Sequence, residues 1–307
     1  MPTRWKSGVA ACVFALVAAV VQAGGSPPAA ATPTPPTRCP DLYVVAIPGT
    51  WETSDTEPGT GMLAATVDRL PGNVAVDYVA YAATAFPWEG EVYGRSKQEA
   101  TDRARDMVAA AARACPATRI AILGYSQGAH AAGDLAAEIG AGSATAPAER
   151  IALVGLIADP RRSPADTLIG PAVPGAGAVG ARPGGFGALG PRTYTFCVDG
   201  DLYCAMPDGD IAGRLAGLVV QMSNPDPADI GSYQRQVAAL LGDALAAGGL
   251  GLLAEEFDAS AYEQRRKQID DFLKSGAHQS YPSYVVDPAG ATALTWLRQR
   301  LIEATNY

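Results

Sequence analysis

The stretch RIAILGYSQG, residues 119–128, decides the fold. Its first half is an apolar run typical of a buried strand, and its second half matches the pattern Gly-x-Ser-x-Gly at Gly124, Ser126 and Gly128. A helix of small residues is predicted to follow over residues 127–139. The two glycines are expected because a β-carbon at either position would collide with the neighbouring strand or helix. We therefore predict a strained turn that exposes Ser126 as a nucleophile; the alternative is a serine that merely caps an ordinary helix.

Strand and helix signals alternate on both sides of this turn. Short apolar, β-branched runs predict strands at residues 41–47, 74–81, 119–123, 151–158 and 193–198. Composition and apolar spacing predict helices at residues 96–114, 127–139 and 292–302. Alternating strands and helices form a parallel sheet that is covered on both faces. The predicted fold class is therefore α/β, a three-layer α/β/α sandwich with a central, mainly parallel sheet.

Two segments depart from this alternation. Residues 164–191 are crowded with glycine and proline and are predicted to form a long surface excursion. Apolar residues at helical spacing then predict three helices, at residues 211–222, 233–245 and 252–273. We interpret residues 209–275, approximately, as a helical insert.

The first 38 residues have the composition of export and linker sequence. Residues 1–23 carry two basic residues, an apolar run and a small-residue cleavage pattern ending at Ala23, which predicts a signal peptide. The alternative, an uncleaved anchor, is disfavoured because the run is shorter than the ~20 residues of a spanning helix. Residues 24–38 are a Pro-rich tether with nothing to bury. We expect a secreted or envelope-associated protein whose folded domain spans residues 39–307.

Charge excludes one class of partner. The 307 residues include 23 Lys and Arg against 31 Asp and Glu, a net charge of −8, and no basic block stands out. The phosphate-neutralising contacts that nucleic-acid binding needs are missing, so we expect no nucleic-acid partner. Any contact with a cell wall or membrane surface must use apolar groups, since an acidic protein is not attracted to anionic lipid.

The cysteines predict two disulfides. Cys12 lies in the signal and is lost with it, which leaves four cysteines in an oxidising compartment. Four cysteines allow three pairings, and the short spacing of Cys197 and Cys204 favours that pair, leaving Cys39 with Cys115. A zinc site is the competing interpretation, but the close pair of ligands that zinc sites use is missing.

A serine nucleophile needs a base, and the chain has only two histidines. His130 lies one turn beyond Ser126 on the same predicted helix, so it is expected to be a packing residue. His278 lies in a polar loop far downstream, where the chain order of serine, acid and histidine places the base in this class of fold. We predict His278 as the base.

The acid is expected between the serine and the histidine. Asp201 lies inside the Cys197–Cys204 loop, where a short disulfide ring could fix a carboxylate against an imidazole. Nearby alternatives are Asp199, Asp208 and Asp210, which could equally be solvated loop residues. Asp159 is a further candidate, although the adjacent Pro160 and the pair Arg161 and Arg162 suggest a turn and a salt bridge. We predict Asp201.

Two backbone N–H groups are needed to hold the negative oxygen that forms during acyl transfer. One belongs to the residue after the nucleophile, here Gln127, and the other to the loop after the first strand, where Thr50 is the predicted donor. We expect no metal and no cofactor.

Taken in order, these motifs resemble the cutinase family of serine esterases. The resemblance runs from Cys39 to the C-terminal helix and rests on residues 48–52, residues 124–128, the Cys197–Cys204 ring with its Gly-Asp-Leu, and His278. It implies the catalytic residues Ser126, Asp201 and His278, the oxyanion donors Thr50 and Gln127, and the disulfide pairs Cys39 with Cys115 and Cys197 with Cys204. Residues 47–52 and 182–189 more narrowly resemble the cutinase-like envelope lipases of mycobacteria and related mycolic-acid actinobacteria.

One departure from the family concerns the segment between the acid and the histidine. It is short in compact cutinases, whereas Asp201 and His278 are 77 residues apart here. Our hypothesis is that the insert caps Ser126 and lines an acyl-binding groove; the alternative is that it packs on the flank of the body.

The expected function is that of a monomeric serine hydrolase that cleaves carboxylic esters of lipids or related acyl substrates. The alternatives are an acyltransferase, a polysaccharide deacetylase, or a catalytically silent wall-binding protein.

Overall fold

A computed structural model describes residues 39–207 and 274–305, together with scattered positions from 210 to 272. The predicted signal at residues 1–23 and the tether at 24–38 lie outside the described residues. Most residues of the three predicted insert helices also lie outside the described residues.

Five parallel strands form one sheet in the order β2-β1-β3-β4-β5. The strands are β1 Leu42–Ile47, β2 Val74–Tyr78, β3 Arg119–Tyr125, β4 Ile151–Ile157 and β5 Thr193–Phe196. Ile47 pairs with Gly124 and Tyr125 with Ile157, so β1, β3 and β4 end at the same edge of the sheet. Loops that follow these strands are therefore brought together at that edge.

Helices cover both faces of the sheet. The described α-helices are α1 Ala64–Val67, α2 Tyr93–Ala114, α3 Gln127–Gly140 and α4 Ala293–Ala304, and short 3-10 turns occupy Gly61–Leu63, Pro87–Glu89, Ala148–Arg150, Gly187–Arg192 and Ala277–Gln279. Alternate strand residues face opposite sides: Val45 and Ile122 pack in one core with α2 and α3, while Val44 and Leu123 pack in the other with α4. The predicted three-layer α/β/α fold with a central parallel sheet is confirmed.

Two of the predicted element boundaries differ from the observed ones by three residues, and the others in the described body differ by two or fewer. Helix α2 begins at Tyr93, three residues before the predicted start. Strand β2 ends at Tyr78 rather than at residue 81, because the chain turns inward to bury Tyr81, whose hydroxyl donates to the Pro48 carbonyl over 2.7 Å.

Residues 164–191 contain little regular structure and lie mostly at the surface, as predicted, but parts of the segment also pack into the body. Arg182, Phe186 and Leu189 are buried, and single bridges tie Leu168 to Thr195 and Ala176 to Met206. The physical reason is that the body contains buried carboxylates that need a cation, and Arg182 supplies it.

Both predicted disulfides are confirmed, Cys39 with Cys115 and Cys197 with Cys204. Cysteines paired in this way fit an extracellular protein. None of the described helices is long and apolar enough to cross a membrane.

Candidate active site

Ser126 occupies a sharp turn between β3 and α3, with φ 56° and ψ −120°. Its amide donates to the Ile157 carbonyl over 2.8 Å, and its carbonyl accepts from the His130 amide over 3.0 Å. A β-carbon at Gly124 would lie 2.3 Å from the Gly128 carbonyl oxygen, and one at Gly128 would lie 2.0 Å from the Ile47 carbonyl oxygen. Only glycine fits at either position, and the strain at the serine is held by the packing around it.

His278 lies beside this turn, in the 3-10 segment Ala277–Gln279. Its Nε2 lies 2.9 Å from the Ser126 hydroxyl oxygen, and its Nδ1 lies 2.9 and 3.1 Å from the two carboxylate oxygens of Asp201. A carboxylate only accepts hydrogen bonds, so Nδ1 carries the proton and Nε2 is free to accept from the serine. The Tyr125 hydroxyl donates to the His278 carbonyl over 2.7 Å and fixes the backbone of this segment.

Asp201 is fully buried within the Cys197–Cys204 ring. Besides His278, its carboxylate accepts from the Tyr203 amide over 3.1 Å and from the Tyr281 hydroxyl over 2.7 Å. These donors satisfy a charge that would be costly to bury alone.

The structure separates the competing acids from His278. Asp199 is exposed, and Asp210 accepts from the Gly213 amide over 2.7 Å. Asp159 forms a buried ion pair with Arg182 at 2.5 Å. Asp208 lies outside the described residues.

Sequence reasoning missed Tyr281, which supports the predicted acid. Its buried hydroxyl donates to Asp201 and accepts from the Val198 amide over 3.3 Å. Burial, together with the charge of Asp201, raises the pKa of Tyr281 well above its ordinary value, so it stays a donor. The sequence signal that could have pointed to Tyr281 is its position three residues after His278, in the same polar turn.

The two predicted oxyanion donors follow adjacent strands: Thr50 lies in the loop after β1, and Gln127 is the first residue of α3, after β3. Within residues 39–207 and 274–305, neither amide donates to a protein acceptor. The Gln127 side chain is held by its own contacts, since its Nε2 donates to the Thr84 carbonyl over 3.0 Å. The Trp51 amide donates to the Ala83 carbonyl over 2.8 Å and anchors the loop that contains Thr50.

Glu52 was also missed as a residue that shapes this loop. Its carboxylate accepts from the Gly49 amide over 2.8 Å and from the Met62 amide over 2.9 Å. Burial raises the pKa of Glu52, and the two amides and the nearby His278 partly oppose that rise. The side chain therefore ties the turn that contains Thr50 to the 3-10 segment Gly61–Leu63.

His130 lies in a buried ionic cluster, as a packing residue would. Its Nδ1 lies 3.1 Å from the Tyr93 hydroxyl, and its Nε2 lies 3.4 Å from Asp134. Asp134 in turn contacts three cations, Lys97 at 3.0 Å, Arg161 at 3.3 Å and Arg182 at 2.9 Å. Burial is the main cause that lowers the pKa of His130 well below its ordinary value, so the ring is neutral.

The salt bridge predicted for Asp159 exists, but with a different partner. Its carboxylate binds the Arg182 guanidinium through two contacts, at 2.5 and 3.1 Å. The neighbouring Arg161 contacts Asp134 instead, and the Arg162 guanidinium donates to the Cys204 and Gly175 carbonyls. Side chains of adjacent residues diverge at a turn, so sequence proximity was a poor guide here.

Aromatic rings surround the imidazole of His278. The Tyr203 ring stacks on it with centroids 4.5 Å apart, and the Tyr125 ring lies 5.2 Å away. Phe272, a described residue of the insert, lies 6.2 Å from the imidazole and 5.9 Å from Tyr203. At least one end of the insert therefore reaches the site.

The parallel sheet and its strand–turn–helix elbow are those of an α/β hydrolase. Residues 38–215 match the family model described as Cutinase, and the chain belongs to the cutinase family. A "Carboxylesterase Culp6 homolog" from Corynebacterium glutamicum is 32% identical over 222 residues, which cover 60% of this chain and 72% of the relative. The protein is a carboxylic ester hydrolase, and the resemblance seen in the sequence is confirmed. The matched range includes Ser126 and Asp201 and ends before His278.

Two solved structures are also similar. The catalytic core of acetyl xylan esterase from Trichoderma reesei has a TM-score of 0.46 and 20% identity, covering 61% of this chain and 96% of its own. Lysin B from Mycobacteriophage D29 has a TM-score of 0.45 and 17% identity, covering 68% of this chain and 91% of its own.

Proposed function

We propose that the protein is a secreted serine esterase that cleaves carboxylic esters of lipids or related acyl substrates through an acyl-enzyme on Ser126. The observation that carries this proposal is the continuous chain from the Ser126 hydroxyl through His278 to Asp201, with contacts of 2.9 Å at each step. It is the arrangement that nucleophilic acyl transfer requires.

The reaction follows from this chain of contacts. As the Ser126 oxygen attacks the ester carbonyl, His278 Nε2 takes the serine proton, and Asp201 holds the resulting imidazolium. Nε2 then returns that proton to the alcohol oxygen, the carbon–oxygen bond breaks, and the acyl group stays on Ser126. A water molecule repeats the sequence in reverse and releases the acid.

The negative oxygen of each tetrahedral intermediate is assigned to the Thr50 and Gln127 amides. The Thr50 amide lies in the loop after β1 and the Gln127 amide begins α3, so both lie at the edge of the sheet that carries Ser126. Removing one such donor typically costs about 10²–10³ in kcat.

Location and partner are part of the proposal. Two disulfides support an oxidising compartment, and the N-terminal sequence supports export by a cleaved signal, giving a secreted or envelope-associated monomer. Exposed aromatic side chains beside the Thr50 loop, Trp51 at 67% exposure and Trp88 at 79%, support contact with an apolar surface. Acyl transfer to another acceptor would use the same site, and product analysis with and without added alcohol distinguishes the two.

The direct test is covalent labelling of the full chain with a fluorophosphonate, read by peptide mass spectrometry. We expect labelling at Ser126, and we expect Ser126→Ala to abolish both labelling and ester hydrolysis. Asp201→Asn should lower kcat by about 10⁴-fold, as loss of the orienting acid does in serine proteases. The matched control is Asp199→Asn, an exposed acid two residues away, which should retain activity. A folded protein that neither labels nor hydrolyses esters would contradict the proposal and favour the catalytically silent wall-binding alternative.

A further inference from the structure

The alcohol half of an ester has a defined position in this site. His278 Nε2 must give its proton to the alcohol oxygen, so that oxygen comes within about 3 Å of Nε2 when the bond breaks. The group attached to this oxygen must then pass along the imidazole ring. Whatever surrounds His278 on its open side therefore contacts the alcohol.

Aromatic side chains surround it there. Tyr203, Phe272 and His278 form a corner in which each pair of rings lies between 4.5 and 6.2 Å apart. The Tyr203 side chain is 39% exposed, and Phe272 is half-buried, so both present ring surface to solvent. Tyr125, by contrast, is buried and its hydroxyl is used to hold the His278 carbonyl.

Two carboxylates are among the described groups that interact with His278. Asp201 contacts the edge of the imidazole, and the Glu52 carboxylate is close enough to interact with His278. Two carboxylates repel an anionic group bound over the same ring. Aromatic faces favour an apolar or flat group, through burial and ring packing.

We propose that Tyr203 and Phe272 form a binding subsite for the alcohol half of the ester, selecting uncharged, apolar alcohols over small or anionic ones. This inference rests on the proposed function. Phe272 belongs to the insert, whereas Tyr203 lies in the Cys197–Cys204 ring, so the insert acts here as a specificity element. The subsite would disfavour phosphate-bearing alcohols such as the lysophospholipid half of a phospholipid's carboxylic ester.

The test uses the full chain and three butyrate esters that differ only in the alcohol: methyl, benzyl and 4-carboxybenzyl. We expect kcat/KM for the benzyl ester to exceed that for the methyl ester by about tenfold or more. The added carboxylate of the 4-carboxybenzyl ester should reverse most of that gain. Phe272→Ala should reduce the benzyl-to-methyl ratio about tenfold. Tyr203→Leu should reduce it as well, and Tyr203→Phe should preserve it because the ring face remains.

Rates are expressed per fluorophosphonate-labelled site, so a variant that folds poorly still gives a valid ratio. Phe272→Leu, which keeps apolar volume, provides a second variant with an intermediate ratio. The proposal is overturned if the wild-type ratio is near one, if Phe272→Ala leaves it unchanged, or if only Trp88→Ala lowers it, since the alcohol would then bind at the other aromatic surface. Hydrolysis of the methyl ester by Ser126→Ala would instead overturn the proposed function.

Discussion

The two histidines lie in regions with similar ingredients. Each has a tyrosine beside its ring and a carboxylate near one nitrogen: Tyr93 and Asp134 for His130, Tyr203 and Asp201 for His278. The surroundings nevertheless give the two rings different chemistry. His130 is 1% exposed at the side chain, whereas His278 is 14% exposed and contacts the Ser126 hydroxyl.

The sign of the nearby charge separates them further. Around His130 the carboxylates are already paired with Lys97, Arg161 and Arg182, so an added proton would enter a buried and cationic environment. Around His278, the contacts seen among the described residues are with the Asp201 carboxylate, which also binds the Tyr281 hydroxyl, and with the ring face of Tyr203. A histidine beside an aspartate is therefore a base only where no stronger cation holds that aspartate and a reactant can approach.

The largest effect is expected from exchanging each imidazole for an amide. His278→Gln should lower kcat by about 10⁴-fold or more, because no group remains to take the serine proton. His130→Gln should leave kcat per labelled site within about tenfold of the wild type. Steady-state kinetics on both variants checks this, and a comparable loss in both would contradict the separation of roles.

Removing the central cation of the buried cluster should act on stability instead. Arg182→Met leaves Asp134 and Asp159 buried without their shared partner, and breaking a buried pair in this way costs about 3–5 kcal/mol. We expect urea unfolding to show that loss, with kcat per labelled site largely retained. Arg192→Met, which removes an arginine that donates to two backbone carbonyls, is the control and should cost less.

Acid should destabilise the protein partly through His130. Its ordinary pKa is 6.5 and its folded pKa is well below that, so below pH 6.5 the unfolded chain binds a proton that the folded chain does not. The free energy of unfolding should therefore fall as pH drops below 6.5, by at most about 1.4 kcal/mol per pH unit from this group. Urea unfolding at several pH values should show a shallower dependence for His130→Gln; parallel curves would refute the assignment.

Asp134 acts in the same direction at lower pH. Burial alone would raise the pKa of Asp134, but Lys97, Arg161 and Arg182 hold it well below its ordinary 3.8. The stabilisation that ionised Asp134 gives to the folded state is therefore present above pH 3.8 and is lost as the pH falls below it.

The smallest effect is expected from the hydroxyl that supports Asp201. Tyr281→Phe removes the 2.7 Å donor and should lower kcat about tenfold, with KM little changed, because the acid is less well held. Tyr284→Phe is the matched control, since the Tyr284 hydroxyl is buried without a partner among the described residues. Equal effects in the two variants would mean that Tyr281 acts only through packing.

Much of the fold and of the candidate site could be predicted from local sequence patterns. Strands β1, β3 and β4 are short apolar runs, and the elbow at residues 124–128 is defined by glycines that no other residue can replace. Both the sheet and the pairing of the cysteines followed from such signals. The proposed catalytic residues were found because each carries its own motif or is rare in the chain.

What could not be predicted depends on contacts across large sequence separations. Arg182 lies in a segment rich in glycine and proline that looks like surface loop, yet it pairs with carboxylates 23 and 48 residues away. Tyr281 reaches Asp201 across 80 residues. A single tyrosine or arginine has no periodicity, so its partner becomes visible only when the fold brings the two together.

The Cys197–Cys204 ring carries both Asp201 and Tyr203, two residues that contact the same imidazole. Closing so short a loop adds only about 2.5 kcal/mol of chain-entropy stabilisation, so its chief effect is local. A newly made chain whose thiols are still reduced is expected to fold most of its sheet yet hold its acid loosely. Formation of the Cys197–Cys204 disulfide is therefore expected to hold Asp201 and Tyr203 in place against the imidazole of His278.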